Sequence, residues 1–131
     1  MTPANVASER PLLDKLGVRP GMRVSVLRVG DQGFASELAD RGADVSTRAR
    51  SGSDLLFLRV QDREGLARLG ALERSLRRAG AIWVIYPKGR KDIREVDVIR
   101  AGVEAGYVDN KIVRFSDSHT AMRLVIPLSR R

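Results

Sequence analysis

The sequence contains no cysteine, which excludes disulfides, thiolate metal sites and a cysteine nucleophile. It has one histidine and one tryptophan, and aromatic residues make up only 5% of it. A base-stacking platform for single-stranded nucleic acid therefore has little to be built from. Lysine is scarce too: Lys15, Lys88, Lys91 and Lys111 are the only four, so arginine supplies most of the 24 cations. Long apolar runs are missing. The longest uninterrupted one, residues 81–86, is far short of the roughly 20 residues that cross a bilayer. The start, Met1-Thr2-Pro3-Ala4-Asn5-Val6, has neither a basic head nor an apolar block, so a secretory signal is not expected and a cytoplasmic location is.

What is present is enough for a core. A hydrophobic fraction of 43% over 131 residues suits one domain that buries roughly two thirds of its unfolded surface. The net charge of +8 could attract nucleic acid or phosphorylated ligands. Its distribution argues otherwise: residues 1–80 carry 14 basic and 10 acidic side chains, residues 81–131 carry 10 and 6, and neither half is a basic tail. Arginine richness of this kind is equally what a GC-rich or heat-adapted genome produces.

The pattern alternates strands with helices. Residues 11–16 predict a short helix, closed by Gly17 and the Pro20-Gly21 turn. Residues 22–29 read as a strand, 30–33 as a turn, 34–40 as a helix and 43–47 as a weak strand centred on Val45. A polar loop, 48–53, leads to Leu55-Leu56-Phe57-Leu58, and a second run, Ile82-Trp83-Val84-Ile85-Tyr86, follows later. Both are apolar on alternate and intervening positions, as central parallel strands are. Between them, residues 62–79 predict a helix with Leu66, Leu69, Leu72 and Leu76 inward and Gly80 as its stop. Residues 92–105 predict another, with Asp92 as N-cap and Ile93, Val96, Ile99 and Val103 inward. Residues 107–115 and 122–128 predict a closing antiparallel hairpin around the turn Ser116–Thr120. The fold class is α/β: a single three-layer, Rossmann-like domain over residues 1–131, with a mainly parallel sheet and a flexible first ten residues. The loop 48–53 is too short for a crossover helix, which leaves two options: Val45 in a short edge strand, or a fully extended return.

Leu16-Gly17-Val18-Arg19-Pro20-Gly21-Met22-Arg23-Val24, between a helix and the first strand, resembles the entry into class I methyltransferases. The later Gly80-Ala81-Ile82-Trp83-Val84 strand and the C-terminal hairpin fit the same topology. That resemblance implies an adenosyl cofactor, whose grip needs closely spaced glycines after the first strand and a carboxylate near the end of the second. The first turn here reads Leu27-Arg28-Val29-Gly30-Asp31-Gln32-Gly33, with two glycines and an arginine where such enzymes place an acid. The second strand runs Val45-Ser46-Thr47-Arg48, without a carboxylate. The third ends Arg59-Val60-Gln61-Asp62, without the polar-Pro-Pro-aromatic motif of amino-methylating members. No cofactor is expected on these grounds. The chain also resembles the bacterial domain of unknown function family 3052, through Lys15-Leu16-Gly17 and Pro20-Gly21, Asp54-Leu55-Leu56-Phe57, Trp83-Val84-Ile85-Tyr86-Pro87-Lys88 and Gly106-Tyr107-Val108-Asp109-Asn110-Lys111. It departs from that family's pattern at His119, where tryptophan is favoured. The resemblance implies a fold and no activity.

Ligands of open α/β sheets bind beyond the carboxyl ends of the strands. Arg28, Gly30, Asp31 and Gly33 from the first turn should meet the Arg59–Asp62 segment and Lys88, Arg90 and Lys91 there, the last three entering a helix N-terminus that favours an anion. The expected function is binding of a small phosphate- or carboxylate-bearing ligand, without assigned catalysis. Nucleic-acid binding through Arg63, Arg74, Arg77 and Arg78, or a methyltransferase completed by a partner, are the alternatives. Trp83 is expected in the core, Asp31 in ordinary turn chemistry, Asp109 and Lys111 on one strand face, and His119 in a turn. There is no Gly-x-Ser-x-Gly elbow, no Walker loop and no metal-ligand spacing.

Overall fold

Two apolar strands organise the molecule. In the computed structural model, which describes residues 11–30 and 32–131, β3 (Ser53–Arg59) and β4 (Leu76–Pro87) pair in parallel, Leu55 with Ala81 through Arg59 with Ile85. Residues 1–10, for which flexibility is expected, and Asp31 lie outside the described residues. Leu55–Leu58 and Ala81–Tyr86 are buried, so both faces of this pair are covered, as their continuous hydrophobicity predicts.

The other strands build outward in the order β2-β1-β3-β4-β6-β5. β1 (Arg23–Leu27) runs parallel to β3, and β2 (Asp44–Ser46) is a three-residue edge strand beside it. β6 (His119–Val125) lies antiparallel to β4, and β5 (Val108–Arg114) is the far edge. One face packs against α1 (Leu12–Lys15) and α2 (Gln32–Asp40) through Leu16, Phe34, Leu38, Phe57 and Trp83. The opposite face packs through Leu58, Leu66, Leu69, Val98, Tyr107 and Leu124. It is covered by a broken helical segment and by α4 (Glu95–Glu104). The three-layer architecture with a terminal antiparallel hairpin is thus as expected.

Four local expectations are corrected. The helix predicted over residues 62–79 is a 3₁₀ turn (Arg63–Arg68), one α-turn, α3 (Leu69–Leu72), and a second 3₁₀ turn (Glu73–Ser75). Its leucines still face the core, because a spacing of three suits 3₁₀ turns as well as it suits an α-helix. Leu76 already pairs with Ser53, and the register then jumps to Leu55 with Ala81. Gly80 therefore lies within β4 and does not stop a helix. The second helix starts at Glu95 with Arg94 as N-cap: the Asp97 carboxylate accepts the Arg94 N–H at 2.8 Å, and Asp92 is not the cap. Its buried stripe is Asp97, Val98 and Gly102, whereas Val96 and Val103 are 42% and 57% exposed. Ile93 precedes the helix and so could not set its phase. Gly102 sets it, since a Cβ there would meet Leu124 at 2.9 Å. Finally, β6 begins at His119, which pairs with Pro87 and is a strand residue. A bulge between Asp109 and Lys111 puts them opposite Leu124 and Arg123, hence on different faces, and Lys111 donates to the Lys15 carbonyl at 2.9 Å.

The short return from β2 to β3 follows from the first option: β2 is a short edge strand, while residues 47–52 bend and turn instead of running fully extended. β2 pairs only with Arg23, Val24 and Ser25 of β1, so residues 47–52 have little length to recover. They are pinned across β1 by polar contacts: Ser25 Oγ lies 2.8 Å from Ser53 Oγ and accepts the Arg50 N–H at 3.2 Å, and Ser53 Oγ donates to the Arg50 carbonyl at 2.6 Å. A buried hydroxyl pair thus takes the place of a crossover helix.

Gly80→Ala tests the strand assignment. Its Cβ would sit 2.7 Å from the Asp54 carbonyl oxygen, so urea denaturation should show a loss of about 1–3 kcal/mol. At the stop of a helix the same change would be neutral or stabilising.

Candidate functional site

The carboxyl ends of β1, β3 and β4 and the start of β6 fall at one edge of the sheet. A crevice of about 560 Å³ opens there, lined by Arg28, Arg59, Gln61, Asp62, Glu64 and Arg68 among others. Arg28 follows β1 directly and adopts φ 60°, the left-handed conformation that favours glycine. Its side chain is thereby turned out at the crevice mouth, exposed. Gly30 also has positive φ, with open space around its Cβ direction, and Gly33 lies in the first turn of α2. Asp31 is outside the described residues.

Arg59 ends β3 and is the most constrained cation here. One guanidinium nitrogen donates to the Val29 carbonyl at 3.1 Å, while Nε is buried without a partner. A buried, unpaired donor on a charged group is costly. The carboxylates nearby do not neutralise it. Asp62 accepts the Glu64 and Gly65 N–H groups at 3.1 and 3.4 Å, capping the 3₁₀ turn. The sequence places the Arg59–Asp62 segment at this edge without singling out Arg59 as a contact, and it gives no role to Arg68. Arg59 carried a signal, a cation closing a wholly apolar strand at the ligand-binding edge; Arg68 had none.

The loop 87–92 is less available than its composition suggests. Arg90 is held by Asp92 through two contacts of 2.9 and 2.5 Å, which raises the arginine pKa and lowers that of the acid. Its expected helix N-terminus begins further on, at Glu95, where Arg94 is the N-cap and the Asp97 carboxylate accepts the Arg94 N–H. Lys88 and Lys91 are exposed beside it, and the Lys88 backbone N–H donates to the Ser118 carbonyl at 2.9 Å. Arg90 lies within electrostatic reach of Asp62, so this loop borders the crevice without lining it. Of the cations proposed for nucleic acid, Arg63 follows the carboxyl end of β3 whereas Arg77 and Arg78 sit at the start of β4, the opposite edge, paired with Asp54 and Glu73. They form no single patch.

His119 enters the edge from β6. Its Nδ1 lies 2.8 Å from Ser118 Oγ, and its Nε2 is buried without a partner. Burial, then the charge of Arg59, hold its pKa below the usual value. Among the described residues no cluster of His, Asp and Glu could hold a metal ion, and no helix is long and apolar enough to cross a membrane.

No family model matches the sequence, and no curated protein matches it. Solved structures do share the fold. A SAM-dependent methyltransferase from Aquifex aeolicus superposes with a TM-score of 0.69 at 14% identity, covering 88% of each chain. A TehB-like SAM-dependent methyltransferase from Corynebacterium glutamicum gives 0.66 at 12% identity, over 88% of this chain and 85% of that one. Magnesium protoporphyrin IX methyltransferase from Synechocystis, with bound SAH, gives 0.61 at 12% identity, over 86% and 78%. At such identities the likeness establishes a methyltransferase-like Rossmann fold.

The lowered pKa of His119 has a signed consequence. Above its ordinary value of 6.5 both folded and unfolded chains hold it neutral. As pH falls below that, the unfolded chain takes up the proton first, so stability declines until the folded pKa is passed. His119→Gln should flatten this part of the pH–stability curve. A ring-proton NMR titration should place the folded midpoint below 6.5; a midpoint at or above it would contradict the burial.

Proposed function

We propose that this chain, as a member of the bacterial domain of unknown function family 3052 that its motifs resemble, uses a methyltransferase-like frame to bind a small anionic ligand. The anion would sit in the crevice beyond β1 and β3. The observation that carries this reading is Arg59, anchored at Val29 with its Nε buried and unpartnered, beside Arg28 and Arg68. Three guanidinium groups suit a phosphate or carboxylate, which they can bind through paired N–H donors. Lys88 and Lys91 would contribute at the rim, and Arg90, engaged by Asp92, less.

An adenosyl cofactor fits these residues poorly. β2 runs out into Ser46-Thr47-Arg48, leaving the ribose hydroxyls without the carboxylate that normally takes them. Asp62 is committed to backbone amides, and a sulfonium would meet arginines. A divergent methyltransferase completed by a partner is the second reading, favoured by fold likeness over most of both chains.

Differential scanning fluorimetry with inorganic phosphate, AMP and phosphoenolpyruvate separates the two. At 100-fold over its Kd a ligand stabilises by about 2.7 kcal/mol, a rise of several degrees here. Arg59→Gln and Arg68→Gln should abolish that rise. No rise with any phosphorylated compound removes the anion reading, and micromolar calorimetric binding of S-adenosylmethionine or S-adenosylhomocysteine replaces it with the second.

A further inference from the structure

A cavity larger than the crevice, about 690 Å³, lies at the other edge of the sheet, between α1, the turn after it, and the amino-terminal half of β4 with β5 and β6. Its floor is apolar, with Leu16 and Trp83, whose indole N–H donates to the Leu16 carbonyl at 3.0 Å. Its walls carry Lys15, Arg19, Arg41, Arg77, Lys111 and Arg123, against two carboxylates, Asp14 and Asp54. Both carboxylates are engaged: Asp14 by Arg41 at 2.6 Å, Asp54 by Arg77 at 2.9 Å and by the Arg23 N–H at 2.8 Å. Among the described residues Lys15, Arg19, Lys111 and Arg123 have no carboxylate partner.

Arg123 is the telling member. It occupies the middle of β6, opposite Trp83, between the buried Met122 and Leu124. This is a position where an apolar side chain would complete the sheet face. Instead a half-buried guanidinium stands there without a hydrogen-bond partner, its pKa lowered by burial and by Arg131. Desolvating a cation with no counter-charge is unfavourable unless something outside the chain supplies one. Four uncompensated cations from α1, the turn after it, β5 and β6 call for more than one negative charge, and the cavity has room for a molecule of nucleotide size.

We infer that this cavity is a second ligand site, taking a small polyanion of the pyrophosphate or nucleoside polyphosphate class. It is separate from the crevice at the carboxyl ends of the strands and does not rest on the reading of that crevice. Arg123 would supply the buried contact and Lys111, Lys15 and Arg19 the outer ones.

The test uses the full chain with sodium pyrophosphate and ATP, read by melting temperature and calorimetry against sodium chloride at matched ionic strength. Saturable stabilisation beyond the salt control is expected, weakened at least tenfold by Arg123→Gln and severalfold by the exposed-site change Lys111→Gln. Arg100→Gln, an exposed change on α4 outside both sites, should leave it intact. Without ligand, Arg123→Gln should melt no lower than the parent, since it removes an unpaired cation. Should it fail to fold, Lys111→Gln and Arg19→Gln carry the test alone. Three outcomes would overturn the site: stabilisation no greater than with chloride; binding unchanged in the Arg123, Lys111 and Arg19 variants; or binding lost equally in Arg100→Gln.

Discussion

The parallel pairing of β3 with β4 is the constraint on which the remaining structure depends. Its residues are buried on both faces, so it can exist only if each face receives its own layer, and every other element is placed by that need. Phe57 and Trp83 lie side by side on the face that α1 and α2 cover, and Leu58 and Val84 on the other. The indole bond to Leu16 ties the first helix to the centre of the sheet across 67 residues of sequence. Removing it would leave a buried donor unsatisfied as well as a loose helix.

That central pair also explains how a short chain closes a three-layer fold. Helices are needed only where the paired strands would otherwise face water. Over the amino-terminal half of β1 the requirement is met by residues 47–52, held by Ser25, Ser53 and Arg50 instead of by a helix. At the far side Gly102 lets α4 descend onto Leu124, and β5, largely exposed, is left as an edge interrupted by a bulge. A bulged edge is a poor template for another strand, which suits a sheet ending in solvent.

How much of this the residues disclose depends on the range of the interaction that decides each element. The central strands were legible because burial on both faces leaves a continuous apolar run, whereas the weak strand at Val45 gave no sign of its place until its pairing with Val24 set it at the edge. The segment after Asp62 was misread: leucines three apart fit two kinds of helical turn, and only pairing of Leu76 with Ser53, a distant contact, draws residues 76–80 into the sheet. The phase of α4 was misread for a similar reason, since Gly102 against Leu124 outweighs a local stripe that includes a non-helical Ile93. At the candidate site, the edge and Arg28 were legible from the order of strands and turns. The engagement of Arg90 by Asp92 was not, and neither was the isolation of Arg59, because both depend on which partners the fold brings within 3–4 Å.

Composition alone accounts for much of the arginine but not for its placement. Every ion pair among the described residues uses arginine and none uses lysine, so an arginine-rich composition finds structural use for many of these side chains at exposed positions. A mutational bias of that kind fills surfaces, where a guanidinium costs little. It does not fill strand positions whose neighbours are buried, because there a cation must lose water and is disfavoured unless paired. Arg59 at one end of the sheet and Arg123 towards the other are such positions, each partly desolvated and neither matched by a carboxylate. Stability would favour an apolar residue at both. Their presence in a fold otherwise so closely packed is the physical reason to look for anions at the two edges rather than across the surface at large.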